Sequence, residues 1–224
     1  MAFENFDAYE VSAVVVPGAF VAVPVVSEWP QLAKLIGDDL DLADLGMFAL
    51  FAFALGHILQ FLGNLIEDLI WSATGGLPSD RILSEKSKII SAEQRSALEK
   101  KIIDNYPAFS FANLEVDAWR PHTREIYAEI RAGGKSEPVD RHNRTFGMLR
   151  GLSAAFLVLA VWALLAGKPE YSLAGLALSC LAAARAYRFG MNYARELFVQ
   201  YLALREPPET PQGAVEGEGR TGAV

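Results

Sequence analysis

The apolar stretch 45–71 contains polar side chains whose types and spacing could do chemistry. Spaced at roughly 100° per residue, they fall within an arc of about 100° on one face of a helix. They are His57, Gln60, Asn64, Glu67 and Asp68, and Trp71 lies on the same face. Such a row is typical of hydrogen bonding between helices, of an ion or proton pathway, or of a catalytic or metal site, and we rank the interpretations in that order.

The rest of the sequence gives little support to metal or enzyme chemistry. Of the three histidines, His122 and His142 lie in a polar segment rather than beside His57. The one cysteine, Cys180, lies in an apolar run and offers neither a disulfide nor a thiolate metal site within one chain. No HExxH, GxSxG or P-loop pattern occurs. We therefore predict no catalytic residues, no metal, no cofactor and no enzyme activity.

Charge is unevenly distributed along the chain. Of its 224 residues 52% are apolar and 21% are charged, and the net charge is −7. Lys34 is the only basic residue before Arg81, whereas most lysines and arginines lie between Arg81 and Arg150. These basic residues alternate with acids and the sequence pI is near 5.1, so no dominant basic face is expected. This pattern argues against nucleic acid as a partner.

Four apolar runs are each long enough to cross a bilayer whose hydrocarbon core is roughly 30 Å thick. These spans are about 8–29, 45–71, 149–167 and 171–190. Pro17 and Pro24 predict a kinked or broken first helix, and the fourth helix is expected to continue to about Leu204. Paired as hairpins 1–74 and 146–205, the runs predict an all-α fold, an integral membrane four-helix bundle. A soluble helical bundle is the competing class.

Residues 75–145 are polar and predict a helical cytoplasmic insertion between the two hairpins. Ser91 and Gln94 form a capping-box pattern ahead of one helix, and a second helix is expected to break near Pro121. The apolar surface of the insertion is thin, so we expect it to dock onto the membrane helices or onto another subunit. Residues 206–224, rich in Pro, Gly and Glu, predict a disordered tail.

The basic residues determine the predicted orientation in the membrane. Positive charge concentrates in the insertion and at the end of the fourth span, which places both in the cytoplasm. The short acidic loop 31–44 is then outside. With four spans, both the N terminus and the C terminus are predicted to be cytoplasmic.

Polar side chains recur at helical spacing at the cytoplasmic end of the fourth helix. They are Arg185, Arg188, Asn192 and Arg195. An arginine at this depth is costly against lipid, so it should face protein or reach toward the headgroups. We predict that Arg185 or Arg188 bonds to the acidic end of the polar row, within one chain or across a subunit interface. The predicted acceptors are Asn64, Glu67 and Asp68.

Several motifs resemble those of a group of uncharacterised bacterial four-span membrane proteins. They are GHxxQxxGNxxE at 56–67, GGLPSD at 75–80, NxxxGxxRGL at 143–152, and an N-terminal F-D-x-Y-E…P-G pattern matched by Phe6, Asp7, Tyr9, Glu10, Pro17 and Gly18. The resemblance covers most of the chain up to the tail. It implies a location in the bacterial cytoplasmic (inner) membrane and a likeness to effectors or sensors of defence systems.

These patterns predict a multi-pass membrane protein that acts as an oligomeric sensor, effector or scaffold module. Its predicted partners are the lipid bilayer, further copies of itself and a cytoplasmic protein that binds the insertion. Gly56 and Gly63, beside the polar row, suit either homo-oligomerisation or packing within one chain. A small transporter or ion channel that uses the polar row is the alternative, and an intramembrane enzyme is third.

Overall fold

The computed structural model of the chain describes residues 10–36, 42–106, 110–111 and 114–204, and this part is helical with no β-strand. The elements are a π-helical turn Glu10–Val15, α1 Val16–Glu28, α2 Pro30–Ile36, α3 Leu42–Thr74, a 3₁₀ turn Asp80–Leu83, α4 Ala92–Asn105, α5 Val116–Ala132, α6 Glu137–Leu165 and α7 Pro169–Leu202. The predicted all-α class is confirmed. The predicted tail 206–224 and the motif residues Phe6, Asp7 and Tyr9 lie outside the described residues.

Two helices in the described part are long and apolar enough to cross a membrane. They cover Ala43–Thr74 and Glu137–Leu165, whereas Ala13–Glu28 is apolar but shorter and α7 does not reach the same criterion. Only 17% and 33% of the most apolar windows of the two helices are buried within the protein. A core helix of a soluble protein buries most of its apolar surface. The two helices therefore indicate membrane association. The four predicted spans are not all long and apolar enough to support a four-span bundle by this measure.

Glycines allow α1 and α3 to pack in close antiparallel contact. A Cβ atom on Gly18 would collide with the backbone of Ala52, and one on Gly56 would collide with the backbone of Val14. The small residues predicted to permit close helix approach thus act within one chain at these positions. Small residues let backbones approach closely, which increases van der Waals contact between helices in lipid.

Gly56→Ala is expected to destabilise the folded chain by about 1–3 kcal/mol, because the new methyl group overlaps the Val14 carbonyl and the helices must separate. The free energy of unfolding in detergent, from denaturant titration, measures this loss. Gly46→Ala is the matched control, since nothing lies within 4 Å of a Cβ at that position. Alanine favours helix over glycine, so the control should be neutral or stabilising by up to about 1 kcal/mol. Equal losses in both variants would contradict the close contact.

A hairpin of α6 and α7 completes the bundle. Ser153 Oγ donates to the Ser179 carbonyl at 3.1 Å, and Ser179 Oγ donates to the Ser153 carbonyl at 2.8 Å, both in the buried interface. The turn between the helices contains Gly167 with a φ of +71°, a conformation that favours glycine. An apolar cluster joins this hairpin to α1 and α3. Its buried members are Val21, Leu59, Ala154 and Ala155.

The insertion docks onto the C-terminal half of α7. Its apolar core combines side chains from the 3₁₀ turn, from α4 to α7 and from the connecting loops. The buried residues are Ile82, Ile89, Ile90, Leu98, Ile102, Phe111, Trp119, Ile126, Ile130, Val139, Ala194, Leu197, Phe198 and Tyr201. The α7 helix therefore supplies the apolar surface that the insertion lacks, and the expected docking occurs within one chain.

Hydrogen bonds cap the start of α4 and join α5 to α6 in the insertion. The capping box that begins α4 is confirmed, because Gln94 N donates to Ser91 Oγ at 3.2 Å and Ser91 N donates to Gln94 Oε1 at 3.0 Å. Tyr127 of α5 donates its hydroxyl to Asp140 of α6 at 2.7 Å. This hydrogen bond to a carboxylate raises the pKa of Tyr127 to about 12, so the phenol stays protonated at neutral pH.

The prolines interrupt the helices less than predicted. Pro121 lies inside a continuous α5, because the buried Trp119 and Ile126 hold the helix against the core on both sides of it. Pro24 likewise lies inside α1, so the first helix is not broken there. Pro17 lies just after the point where the π-helical turn becomes α-helix. Tertiary packing thus overrides the local preference at Pro121.

The α6 helix begins at Glu137 rather than near residue 149, where the third span was predicted to start. Its first turns belong to the insertion, where Val139 is buried in the apolar core, and its later turns belong to the bundle. The predicted boundary of the insertion at 145 therefore falls inside a continuous helix.

Candidate functional site

A charged pair lies at the crossing of α3 and α6, largely removed from solvent. Arg150 of α6 forms an ion pair with Glu67 of α3, and the exposed fractions of these side chains are 17% and 19%. The same guanidinium donates to Gln60 Oε1 at 2.8 Å and lies 5.6 Å from the centroid of the Phe146 ring. Gln60, Glu67 and Arg150 are termed the polar cluster below.

Gln60 joins α3 to both of its neighbours. Its Nε2 atom donates to the carbonyl of Ala13 in the π-helical turn and to the carbonyl of Gly147 in α6, the second at 3.2 Å. In a regular α-helix the Ala13 carbonyl would accept a hydrogen bond from the N–H four residues later. That residue is Pro17, which has no N–H. The side chain of a neighbouring helix thus supplies a donor to the carbonyl that Pro17 leaves without its usual one.

Two glycines make room for the polar cluster. A Cβ atom on Gly63 would lie 3.0 Å from Arg150 Cγ, and one on Gly151 would lie 2.7 Å from Gln60 Nε2. Larger residues at either position would push the helices apart or displace the hydrogen-bonding side chains. The polar cluster therefore depends on small residues in both α3 and α6.

The polar cluster is in continuous contact with the insertion. Trp71 Nε1 donates to Glu67 Oε1 at 3.1 Å. The guanidinium of Arg81, in the 3₁₀ turn, lies 5.8 Å from the Trp71 ring centroid and 5.7 Å from that of Tyr187 in α7. Arg81 also donates to Tyr187 Oη at 2.9 Å and to Thr74 Oγ1 at 2.8 Å. Side chains from α3, α7 and the insertion therefore meet around Arg81.

The structure divides the predicted polar row into two parts. Gln60 and Glu67 turn inward and join the polar cluster, whereas His57, Asn64 and Asp68 are exposed on α3. His57 makes an edge-to-face contact with Phe53, with ring centroids 4.5 Å apart. The arc of about 100° expected from helical periodicity crosses the boundary between the buried and the exposed faces of α3.

The predicted charge partners of the row need correction. Within one chain Glu67 pairs with Arg150, so its predicted pairing with Arg185 or Arg188 is wrong there. In the described part of the chain, neither of these two arginines bonds to Asn64 or Asp68. Arg185 and Arg188 are both exposed, and the guanidinium of Arg185 lies 5.5 Å from the ring centroid of Phe189. A pairing across a subunit interface stays a prediction.

The remaining two predicted partners lie nearer to the insertion. Arg195 Nε donates to the Ile89 carbonyl at 2.9 Å, so this arginine holds the insertion against α7. Asn192 is half-buried on the same helix. Neither residue belongs to the polar cluster.

Sequence reasoning missed the roles of Arg150 and Arg81, and it placed Trp71 on the polar face of the second span without predicting its contact with the insertion. A signal for Arg150 was present, because it shares a helical face with Gly147 and Ala154, and a long polar side chain on a face of small residues indicates an interhelical contact. No comparable signal exists for Arg81, whose contact with Tyr187 joins distant parts of the chain.

The polar cluster contains one carboxylate, one guanidinium and one amide. These groups can hold a charge pair between two helices and exchange hydrogen bonds with a third. Within the described ranges, no group of three or more His, Cys, Asp or Glu side chains is placed to hold a metal ion. The ion pair and the shared hydrogen bonds couple α3 to both of its neighbours.

Comparisons of the chain with protein-family models, with curated proteins and with solved structures find no significant match.

Proposed function

We propose that the chain is a multi-pass inner-membrane protein that acts as a non-enzymatic, oligomeric sensor, effector or scaffold module. In this proposal the insertion binds a cytoplasmic protein and the bundle transmits or executes the response. The observation that carries the proposal is the contact of the polar cluster with the insertion through Trp71 and Arg81. Displacement of the polar cluster should therefore change the packing or hydrogen bonding of the insertion, and displacement of the insertion should change that of the polar cluster.

The exposed apolar surface supports a membrane position for the bundle. Leu50 and Leu69 on α3 are 64% and 70% exposed, and Leu181 on α7 is 66% exposed. Large apolar patches of this kind are rare on soluble monomers and suit lipid or protein contacts. The insertion follows the end of α3, contains the start of α6 and docks onto the end of α7, which supports a position of all three on one side of the membrane. The basic residues of the insertion support a cytoplasmic position for that side.

Exposed polar residues support oligomerisation. His57 and Asn64 are exposed on the apolar α3, where a lipid environment would leave their hydrogen-bonding groups without partners. Asp68 on α3 and Arg185 on α7 add exposed charges of opposite sign. A second copy of the chain could satisfy these groups, which is the inter-subunit form of the predicted pairing.

The same exposed residues favour a second candidate function, a small transporter or ion channel. Copies arranged with His57 and Asn64 toward a common axis would line a polar route through an otherwise apolar layer. In that arrangement the polar cluster would hold the helices that form the route. The two candidates differ in whether ions cross the membrane.

Glu67→Gln tests both candidates. If the bundle and the insertion are coupled, loss of the Arg150 ion pair should speed amide hydrogen exchange in the 3₁₀ turn Asp80–Leu83 by about tenfold, since 1.4 kcal/mol of local stability corresponds to that factor. Exchange is measured on the full chain in nanodiscs. If the chain is a sensor, effector or scaffold module, a dye that reports membrane potential should show no depolarisation in bacteria expressing either the wild type or Glu67→Gln.

Asp68→Asn is the matched control, because it removes a neighbouring exposed carboxylate outside the polar cluster. Equal exchange in the 3₁₀ turn of the two variants would overturn the proposed coupling. Depolarisation by the wild-type chain that is lost in both Glu67→Gln and His57→Ala would establish the channel instead.

A further inference from the structure

An open cleft of about 630 Å³ lies where α3 ends and the insertion begins. It is bounded by the end of α3, the 3₁₀ turn, the loop before α4, the start of α5 and one residue of α7. This junction cleft does not include the polar cluster, but Arg81 belongs both to its lining and to the contact between bundle and insertion.

Basic side chains dominate the charge of the junction cleft. Arg81, Lys86, Lys88 and Arg120 line it, and Asp80 is the one acidic residue in the lining. The Asp80 side chain is only 5% exposed and contacts Arg120 at 3.5 Å, while Arg120 itself is 49% exposed. Burial raises the pKa of Asp80. The acid therefore lies beneath Arg120, which also pairs with the exposed Asp117 at 3.4 Å. The positive charge of the cleft that has no ion-pair partner among the described residues comes from Arg81, Lys86 and Lys88.

The Arg81 guanidinium lacks an anionic partner. It is partly buried, and its donors meet only neutral acceptors: the Tyr187 hydroxyl, the Thr74 hydroxyl, the Gly76 carbonyl and the Met191 sulfur. No carboxylate of the described residues lies within ion-pair distance of it. Removing a charge from water without an opposite charge is costly, so an anion in the cleft would be strongly favoured. Five hydrogen bonds already engage its nitrogens, so Arg81 would attract a phosphate group by its charge rather than through an unused donor.

Two serines add hydrogen-bonding groups to the same wall. Ser84 Oγ accepts from Lys86 N at 3.4 Å, and Ser87 Oγ accepts from Ile89 N at 3.5 Å. Both hydroxyls line the cleft, and each keeps its hydrogen for donation to an oxygen acceptor. Lys86 and Lys88 are exposed beside them. The lining of the cleft thus combines lysines, arginines and serines, whose ammonium, guanidinium and hydroxyl groups suit a phosphate ligand.

The cleft lies at the expected depth of lipid headgroups. The last large exposed apolar residue of α3 is Leu69, and Thr74 at the cleft is five residues further along the helix. That distance is about 7.5 Å at the usual helical rise. The headgroup layer on each side of a bilayer is roughly 5–8 Å thick. A phosphate group carried by a lipid or one free in the cytoplasm could therefore reach the cleft.

We propose that the junction cleft binds a phosphate-bearing anion through Lys86 and Lys88, with Arg81 and Arg120 adding positive charge to the site. The assignment names the ligand class of the proposed sensor and rests on that proposed function for the side of the membrane that the cleft faces. Because Arg81 also touches Trp71 and Tyr187, an occupant of the cleft would bear directly on the contact between bundle and insertion.

The test is the thermal unfolding midpoint of the full chain in detergent, measured during titration with inorganic phosphate or with detergent-dispersed phosphatidic acid at constant ionic strength. A ligand that binds the folded chain raises the midpoint with concentration. Phosphatidylcholine is the lipid control, because its choline cation opposes the basic side chains. Lys86→Gln/Lys88→Gln should weaken the response by about tenfold or more, since two charge-assisted contacts are lost.

Lys100→Gln, an exposed lysine on α4 away from the cleft, is the protein control and should respond like the wild type. Stabilisation by phosphatidic acid alone identifies a lipid headgroup, and stabilisation by both probes identifies a phosphate site that also takes soluble anions. No response to either probe, or an equal response of Lys86→Gln/Lys88→Gln and the wild type, overturns the proposal. The hydrogen-exchange experiment on Glu67→Gln is carried out without phosphate. Its outcome therefore tests the proposed coupling of bundle and insertion independently of ligand binding in the cleft.

Discussion

Arg150→Met is expected to destabilise the folded chain by about 3–5 kcal/mol, because it leaves the carboxylate of Glu67 without its ion-pair partner inside the bundle. Gln60 loses the donor to its Oε1 atom in the same change. Methionine keeps much of the length and apolar contact of the arginine stem, so the loss reports the charged group rather than a cavity. The measurement is the free energy of unfolding in detergent.

A second substitution separates the ion pair from general packing. Glu67→Gln/Arg150→Met removes both charges and should recover most of the loss, because no uncompensated charge then remains between the helices. Arg185→Met is the matched control and should change stability by no more than about 0.5 kcal/mol, since this arginine is exposed and forms no ion pair within the described part of the chain; its guanidinium lies over the Phe189 ring. Equal losses in Arg150→Met and Arg185→Met would contradict the central place of the polar cluster.

The sequence predicts the helices well because their signals are local. The apolar runs indicated α3 and the later part of α6, and the Ser91 and Gln94 pattern marked the start of α4. Each of these features depends on residues a few positions apart, which is the range over which helical periodicity and capping act. The docking of the insertion could also be anticipated, because its apolar surface was too small to form an independent core.

The neighbours of each helix could not be predicted in the same way. Periodicity groups the side chains of one helix by face, but it does not say which helix that face meets. Depth along the membrane suggested that the partner of Glu67 lies in the fourth predicted span, which is part of α7. In the structure the partner is Arg150 of α6. Gly63 and Gly151 decide the outcome, since they allow α3 and α6 to approach until Gln60 and Glu67 reach the arginine.

Two long helices belong to both regions, so the predicted boundary at 145 falls inside α6. Near its start α6 supplies Val139 to the insertion core, and further along it supplies Ala154 to the bundle core. In the opposite order, α7 supplies Ser179 to the bundle and Phe198 to the insertion. A displacement of the insertion therefore acts on the bundle along two continuous helices, in addition to the contact through Arg81 and Trp71.

Trp119→Ala should lower the free energy of unfolding by about 3–5 kcal/mol and unfold the insertion. Trp119 is completely buried, its Nε1 atom donates to the Ser79 carbonyl at 2.9 Å, and its ring centroid lies 5.6 Å from that of Phe111 and 6.1 Å from that of Phe198. Hydrogen exchange on the full chain in nanodiscs should show protection lost in α4 and α5. Trp162→Ala, at a 41% exposed tryptophan of the bundle, is the control and should leave that protection unchanged.

The response of the bundle to Trp119→Ala decides how tightly the two regions are joined. If the ion pair of Glu67 and Arg150 is held mainly by contacts within the bundle, protection in the middle of α3 should persist while α4 and α5 exchange freely. A partner protein could then remodel the insertion without unfolding the membrane helices. Simultaneous loss of protection in α3 would instead make bundle and insertion one cooperative unit, because the shared helices α6 and α7 would transmit unfolding as well as displacement.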